Sequence, residues 1–97
     1  MRLLSAPRGP AVLWIDMINP DQIRKWIEEG LACEHLQVDG DGHHFEAVIV
    51  SPAFRGKSRV QQHQLVYAAL GERMRAEIHA LSMKTYTPED WRQAGRG

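Results

Sequence analysis

Between Asn19 and Leu31 the apolar residues fall on one side of a helix: Ile23, Trp26, Ile27 and Leu31 recur at three- and four-residue steps. The flanks agree with that period. Asn19 can cap the first turn, Pro20 suits the first helical position, and Gln22 can answer as the reciprocal partner of a capping box. Ile18 and Ile23 occupy the two staple positions. Gly30 lowers helical propensity and places the predicted end near Ala32. The period then changes. Leu36 and Val38 alternate with Gln37 and Asp39, which predicts a strand. Gly40-Asp41-Gly42 is a turn able to take positive φ, and Phe45 to Val50 follows as a β-branched second strand, so the two form a hairpin. Ser51-Pro52 ends it. Ser58 caps a predicted long helix in which Val60, His63, Tyr67, Leu70 and Met74 lie near one face and Gly71 is a mild defect. Ile78 to Lys84 predicts a third strand. Thr87 caps a last short helix with Pro88 first, Asp90 at the box position and Trp91 as its anchor.

The element order is helix, strand, strand, helix, strand, helix. A helix joins the second and third strands, so pairing between them is parallel with a right-handed crossover, while the hairpin is antiparallel. The expected fold class is α+β: a two-layer sandwich with a three-stranded mixed sheet, all helices burying their faces on it. Residues 17–92 form the expected domain and 93–97 a short tail. Residues 1–16 carry Pro7, Gly9 and Pro10 without a sustained period, and they are expected to be a flexible, dispensable extension. Arg2 and Leu3-Leu4 imitate the start of a secretory signal, but Pro7 to Pro10 interrupt it and no cleavage site follows.

Length and composition narrow the function. A chain of 97 residues is one small domain, too small for a large enzyme cleft. With 43% hydrophobic and 25% charged residues it is of ordinary globular composition, which excludes a disordered or fibrous chain. The formal net charge is zero, so a globally basic nucleic-acid binder is not indicated. The charge is unevenly spread. From Asp16 to Glu46 there are eight acids against two bases, and from Phe54 to Ala76 five bases against one acid. The second segment can face an acidic partner or simply be solvated. Cys33 is the single cysteine, which excludes an intramolecular disulfide framework and favours a cytoplasmic chain. No apolar run approaches the roughly 18 residues of a membrane span.

Five histidines are the compositional oddity. Imidazole is a common ligand for transition metals, but there is no HExxH, no paired CxxC and no helical i,i+4 histidine pair, so a complete zinc site from this chain alone has no support. His35 precedes the first strand and reads as surface. His63 lies in the long helix beside Tyr67, as a hydrogen-bonded structural histidine or a ligand. His43 and His44 follow the glycine turn and, being adjacent, can send at most one side chain toward a given site. His79 opens the third strand. Cys33 reads as a small helix-end residue and Ser58 as a cap rather than a nucleophile. The chain has no GxSxG, phosphate-loop or GxGxxG motif. Trp14, Trp26 and Trp91 read as packing anchors.

Several motifs in order resemble the BolA family. They are FRGKSRVQQHQLVYAAL from Phe54 to Leu70, IHALSMKTYTPEDW from Ile78 to Trp91, and GDGHHFE from Gly40 to Glu46. The last is similar to the family's S-H-F opening of the second strand, and the short turn most resembles the IbaG-like branch. The resemblance implies a fold like a class II KH domain, in agreement with the element order. It also implies a non-catalytic partner of a monothiol glutaredoxin of the CGFS type. In such heterodimers a 2Fe–2S cluster is shared: the glutaredoxin gives a cysteine, glutathione a thiolate and the BolA-like chain a histidine, with no cluster bound by the chain alone. By this resemblance His79, the histidine of I-H-A-L, is the main ligand. His44, matching S-H-F, or His43, standing where serine is usual, is the second. His63 matches the helical R-H-R histidine and takes a structural or partner-surface role. The implied biology is iron–sulfur handling or iron and stress regulation, with a monomer or weak homodimer when no partner is bound. The alternative implied by the family is a DNA-binding transcriptional regulator. The chain lacks the GXXG loop of KH domains, and Arg55, Lys57 and Arg59 alone predict weak, salt-sensitive phosphate contacts.

Overall fold

The computed structural model describes residues 18–74 and 78–95, so the expected extension at 1–16 and the end of the tail lie outside the described residues. Helix α1 (Pro20–Gly30) begins with the full capping box: the Gln22 N–H donates to the Asn19 side chain at 2.9 Å, and the Asn19 N–H donates to the Gln22 side chain at 3.0 Å. The helix ends at Gly30 rather than near Ala32, and Leu31 is already extended. Packing decides this end. A Cβ on Gly30 would stand 2.8 Å from the Ala69 Cα, so the neighbouring helix comes closer than any side chain permits.

Strands β1 (His35–Gly40) and β2 (Phe45–Val50) form the expected antiparallel hairpin, with Leu36 opposite Ile49 and Gly40 opposite Phe45. His35 is therefore the first residue of β1, not a residue before it. Strand β3 (Leu81–Tyr86) pairs with β2 in parallel, from Phe45↔Leu81 to Val50↔Tyr86, and the sheet order is β1-β2-β3. The third strand thus lies three residues later at its start than Ile78. Residues Ile78–Ala80 make a single 3₁₀ turn instead. An apolar run cannot by itself set a strand's limits; the parallel ladder does, and the Ser51 N–H donating to the Tyr86 carbonyl at 3.1 Å closes its far end.

Helix α2 (Arg59–Leu70) carries a second capping box, built by Ser58 and Gln61. Its inward face is Gln62, Val66 and Leu70, with Met74 buried beyond it. The expected face through Val60 and Tyr67 is corrected: these two are 66% and 41% exposed. The pattern misled because the first inward position is polar. Gln62 is buried with its amide satisfied: its NH₂ donates to the carbonyls of Phe54 (3.3 Å) and Lys57 (3.1 Å), and its oxygen accepts from the Thr85 hydroxyl (2.6 Å). Gly71, at φ 63°, ends the helix and gives the Tyr67 carbonyl its N–H.

The core joins Ile23 and Ile27 of α1, alternate residues Phe45, Ala47 and Ile49 of β2, Leu81 of β3, Val66 and Leu70 of α2, and Phe54. Alternation sends His35, Val50 and Tyr86 to the opposite face. There helix α3 (Pro88–Gln93) lays Trp91 across the end of the sheet, stacked on His35 at 4.8 Å and edge-on to Tyr86 at 5.1 Å. So α1 and α2 make the helical layer, while α3 places its anchor on the other side.

Candidate functional site

Parallel pairing of β2 with β3 has one consequence for chemistry. Adjacent strands run about 4.8 Å apart, so the residues that open two parallel neighbours stand side by side. Phe45 opposes Leu81; His44 and His43 precede the first, and His79 on the 3₁₀ turn precedes the second. All three histidines are exposed, at one end of the sheet. Their imidazoles make no hydrogen bond among the described residues, so their nitrogens remain available. The histidine of the third strand thus sits on a turn before the strand rather than at its first position.

The hairpin turn holds its own pair by backbone bonds. The Asp41 carboxylate accepts the N–H groups of His43 (2.8 Å) and His44 (2.9 Å), and the Asp41 N–H donates to the His44 carbonyl at 3.2 Å. Those donors, His44 first and then His43, favour the ionised acid and hold the Asp41 carboxyl below its ordinary range. Gly42 takes φ 96°, and a Cβ on Gly40 would lie 2.6 Å from the His44 carbonyl oxygen. Glycine is needed at both positions for the turn to close under the histidines. The aspartate's part in positioning was missed in the sequence, although an Asp two and three residues before the N–H groups it accepts is the signal for such a turn.

The other candidates lie elsewhere. His63 is half-buried on α2; its Nε2 is shielded and has no hydrogen-bond partner. Burial, and secondarily the charge of Arg59, lower its pKa. Arg55 is locked onto Glu89 of α3 by a forked pair, Nε at 3.0 Å and Nη2 at 2.6 Å. That bond, chiefly, pushes the Glu89 carboxyl down to about 2. Lys57 and Arg59 are exposed and enter no ion pair among the described residues. The basic trio is thus a pair of open cations beside an engaged arginine. Cys33 is half-buried in the turn after α1, its S–H donating to the Leu31 carbonyl at 3.4 Å. Burial, then Glu28, pushes its thiol up to about 11, which favours the protonated, weakly nucleophilic form at neutral pH. Trp26 packs at the core's edge with Arg73 over its ring at 5.7 Å, and Trp91 is engaged as described, while Trp14 lies outside the described residues.

Among the described residues no group of three or more His, Cys, Asp or Glu side chains is placed to hold a metal ion. Imidazole nitrogen is a ligand for transition metals, and exposed histidines at one sheet end could fill at most part of a coordination shell. No described helix is long and apolar enough to cross a membrane.

A family model described as BolA-like protein matches residues 27–90. The acid stress protein IbaG of Escherichia coli K12 is 39% identical over 72 residues, covering 73% of this chain and 86% of IbaG. The DNA-binding transcriptional regulator BolA of Haemophilus influenzae is 43% identical over 58 residues, covering 60% of this chain and 56% of that protein. Among solved structures, a bolA protein homologue from Coxiella burnetii matches with a TM-score of 0.70 and 48% identity, covering 78% of this chain and 99% of that one.

Proposed function

The chain belongs to the BolA-like family, and from that premise we propose that it is a non-catalytic protein that joins a monothiol glutaredoxin of the CGFS type and shares a 2Fe–2S cluster with it and glutathione. His79 is the principal ligand from this chain, and His44 or His43 the second. The observation that carries this reading is the parallel register, which sets the openings of β2 and β3 beside each other with exposed imidazoles on both. A histidine pair cannot fill the shell of two irons, so the reading requires thiolates from the partner and from glutathione. The cluster supplies electron-transfer or iron-donor chemistry; the histidines of this chain hold it at the sheet end. Ligation uses the neutral imidazole, so acid competes with iron. The name of the IbaG relative, an acid stress protein, fits a contact of that kind.

Mixing the chain with such a glutaredoxin, glutathione, iron and sulfide tests the reading by visible absorption and circular dichroism. His79→Ala is expected to abolish the heterodimer's spectrum with far-ultraviolet dichroism unchanged, because the side chain is exposed. His44→Ala or His43→Ala weakens the spectrum less, and acidification bleaches it. An unaltered spectrum in His79→Ala overturns the ligand assignment.

The name of the Haemophilus influenzae relative favours a second reading, DNA binding. Against it, Arg55 is committed to Glu89. Nanomolar binding to a specific duplex at physiological salt, lost when Lys57 and Arg59 are neutralised, replaces the first reading with this one.

A further inference from the structure

The sheet order leaves one edge of β3 without a neighbouring strand. The Tyr86 carbonyl accepts the Ser51 N–H at 3.1 Å, so Tyr86 turns its backbone groups toward β2. Alternate residues share that direction, so Ser82 and Lys84 face β2 as well, while Met83 and Thr85 turn their N–H and C=O groups outward. No hydrogen bond among the described residues uses these outward groups. A cavity of ≈ 260 Å³ runs beside them, lined by Arg59 and His63 of α2 and by the consecutive residues Met83, Lys84, Thr85 and Tyr86. Side chains alternate between the two faces of a strand, so consecutive residues reach one cavity together only along the strand's edge.

We propose that the free edge of β3 takes up an extended acidic segment of a partner protein as an added strand. Main-chain bonds to Met83 and Thr85 supply the affinity, and the flanking charge selects the sequence. Cations stand on both faces of this edge. The Thr85 side chain reaches Gln62 on the α2 side, where Arg59 lies at the positive N-terminus of the helix; alternation sends Lys84 to the opposite face. Arg59 and Lys84 are exposed, neither enters an ion pair among the described residues, and no acid lines the cavity. By contrast, Arg55 and Arg73 each hold a glutamate, at 2.6 and 2.9 Å. An added strand presents successive side chains to alternate faces, so carboxylates at adjacent positions meet Arg59 and Lys84 separately and no single anion has to reach both. A second copy of the chain is a poorer occupant. Antiparallel pairing of two β3 edges puts both Lys84 side chains on one face, opposite or diagonal to each other, where like charges repel. The edge shares no residue with the histidines at the sheet end, so the inference does not rest on the cluster reading.

Nuclear magnetic resonance of the full chain without glutaredoxin tests it. The probe is a short capped peptide of threonine pairs alternating with glutamate pairs. One control has lysine for each glutamate; a second has proline for each threonine, which keeps the charge and loses the strand. The threonine–glutamate peptide is expected to bind saturably and to slow amide exchange at Met83 and Thr85, while Ser82, Lys84 and Tyr86, already turned to β2, stay unchanged. Both controls should bind about tenfold more weakly or worse. Arg59→Glu and Lys84→Glu, both at exposed positions, should each weaken the threonine–glutamate peptide about fivefold. Unsaturable shifts, equal binding of either control, protection that does not single out Met83 and Thr85, or a titration indifferent to both substitutions overturns the proposal. Two outcomes overturn it in favour of another occupant. Protection of Met83 and Thr85 without peptide, growing as the chain is concentrated, points to a second copy. Tighter binding of a short oligodeoxynucleotide than of the peptide points to a nucleic-acid backbone.

Discussion

Gln62 shows how one polar side chain can hold three segments. Its amide reaches the carbonyls of Phe54 and Lys57 and takes the Thr85 hydroxyl, tying α2 to the loop before it and to β3. Gln62→Leu would keep the volume and strip those partners. Leaving two carbonyls and a hydroxyl unsatisfied is expected to cost about 1–3 kcal/mol, read by urea denaturation with an unchanged m-value. Nothing in the surrounding RVQQHQ segment separates Gln62 from Gln64, because the cause lies in residues far along the chain. Ser51 makes the same point on a smaller scale: its hydroxyl donates to the Ala32 carbonyl at 2.5 Å and accepts from the Ala53 N–H. Caps are different. Asn19, Ser58 and Thr87 each bond within three residues of themselves, so their roles are legible from local sequence alone.

Elements meet where their surfaces allow, and α1 and α2 meet at a glycine. Gly30→Ala would gain helical propensity but push a Cβ to within 2.8 Å of the Ala69 Cα and 2.9 Å of its Cβ. Backbone cannot yield as a flexible side-chain end does, so a net loss of about 1–2 kcal/mol is expected in thermal melts. The element order, the hairpin, the parallel crossover and both layers follow from period and punctuation. Less visible were the start of β3 and the buried face of α2. Both depend on partners: the ladder to β2 sets the first, and the Gln62 bonds rotate the second away from Val60 and Tyr67. For the candidate site, the histidines are visible in the sequence, while the neighbouring of their two segments comes only with the register.

For the whole molecule, the Arg55–Glu89 pair links the turn after β2 to the last helix, and its strength depends on pH. The Glu89 carboxyl is lowered from 4.5 to about 2, so the folded state favours the ionised form. Its contribution is fully present above pH 4.5 and is lost as pH falls toward about 2. Both partners are half-exposed, so the effect is modest and falls with added salt. Thermal melts of the native chain and Glu89→Gln should differ at neutral pH and converge on acidification. A difference that persists at the acid end would show that Glu89 acts through packing instead.

The parallel partnership of β2 and β3 also governs when the histidines can meet. The hairpin closes over a short turn, but Phe45 reaches Leu81 only after all of α2 has been spanned, a loop closure that is slow and entropically costly. His43 and His44 are therefore held in their turn early in folding, while His79 joins them only when the long-range ladder zips. Under the proposed cluster reading, the crossover would couple assembly of the two ligand segments to completion of the fold.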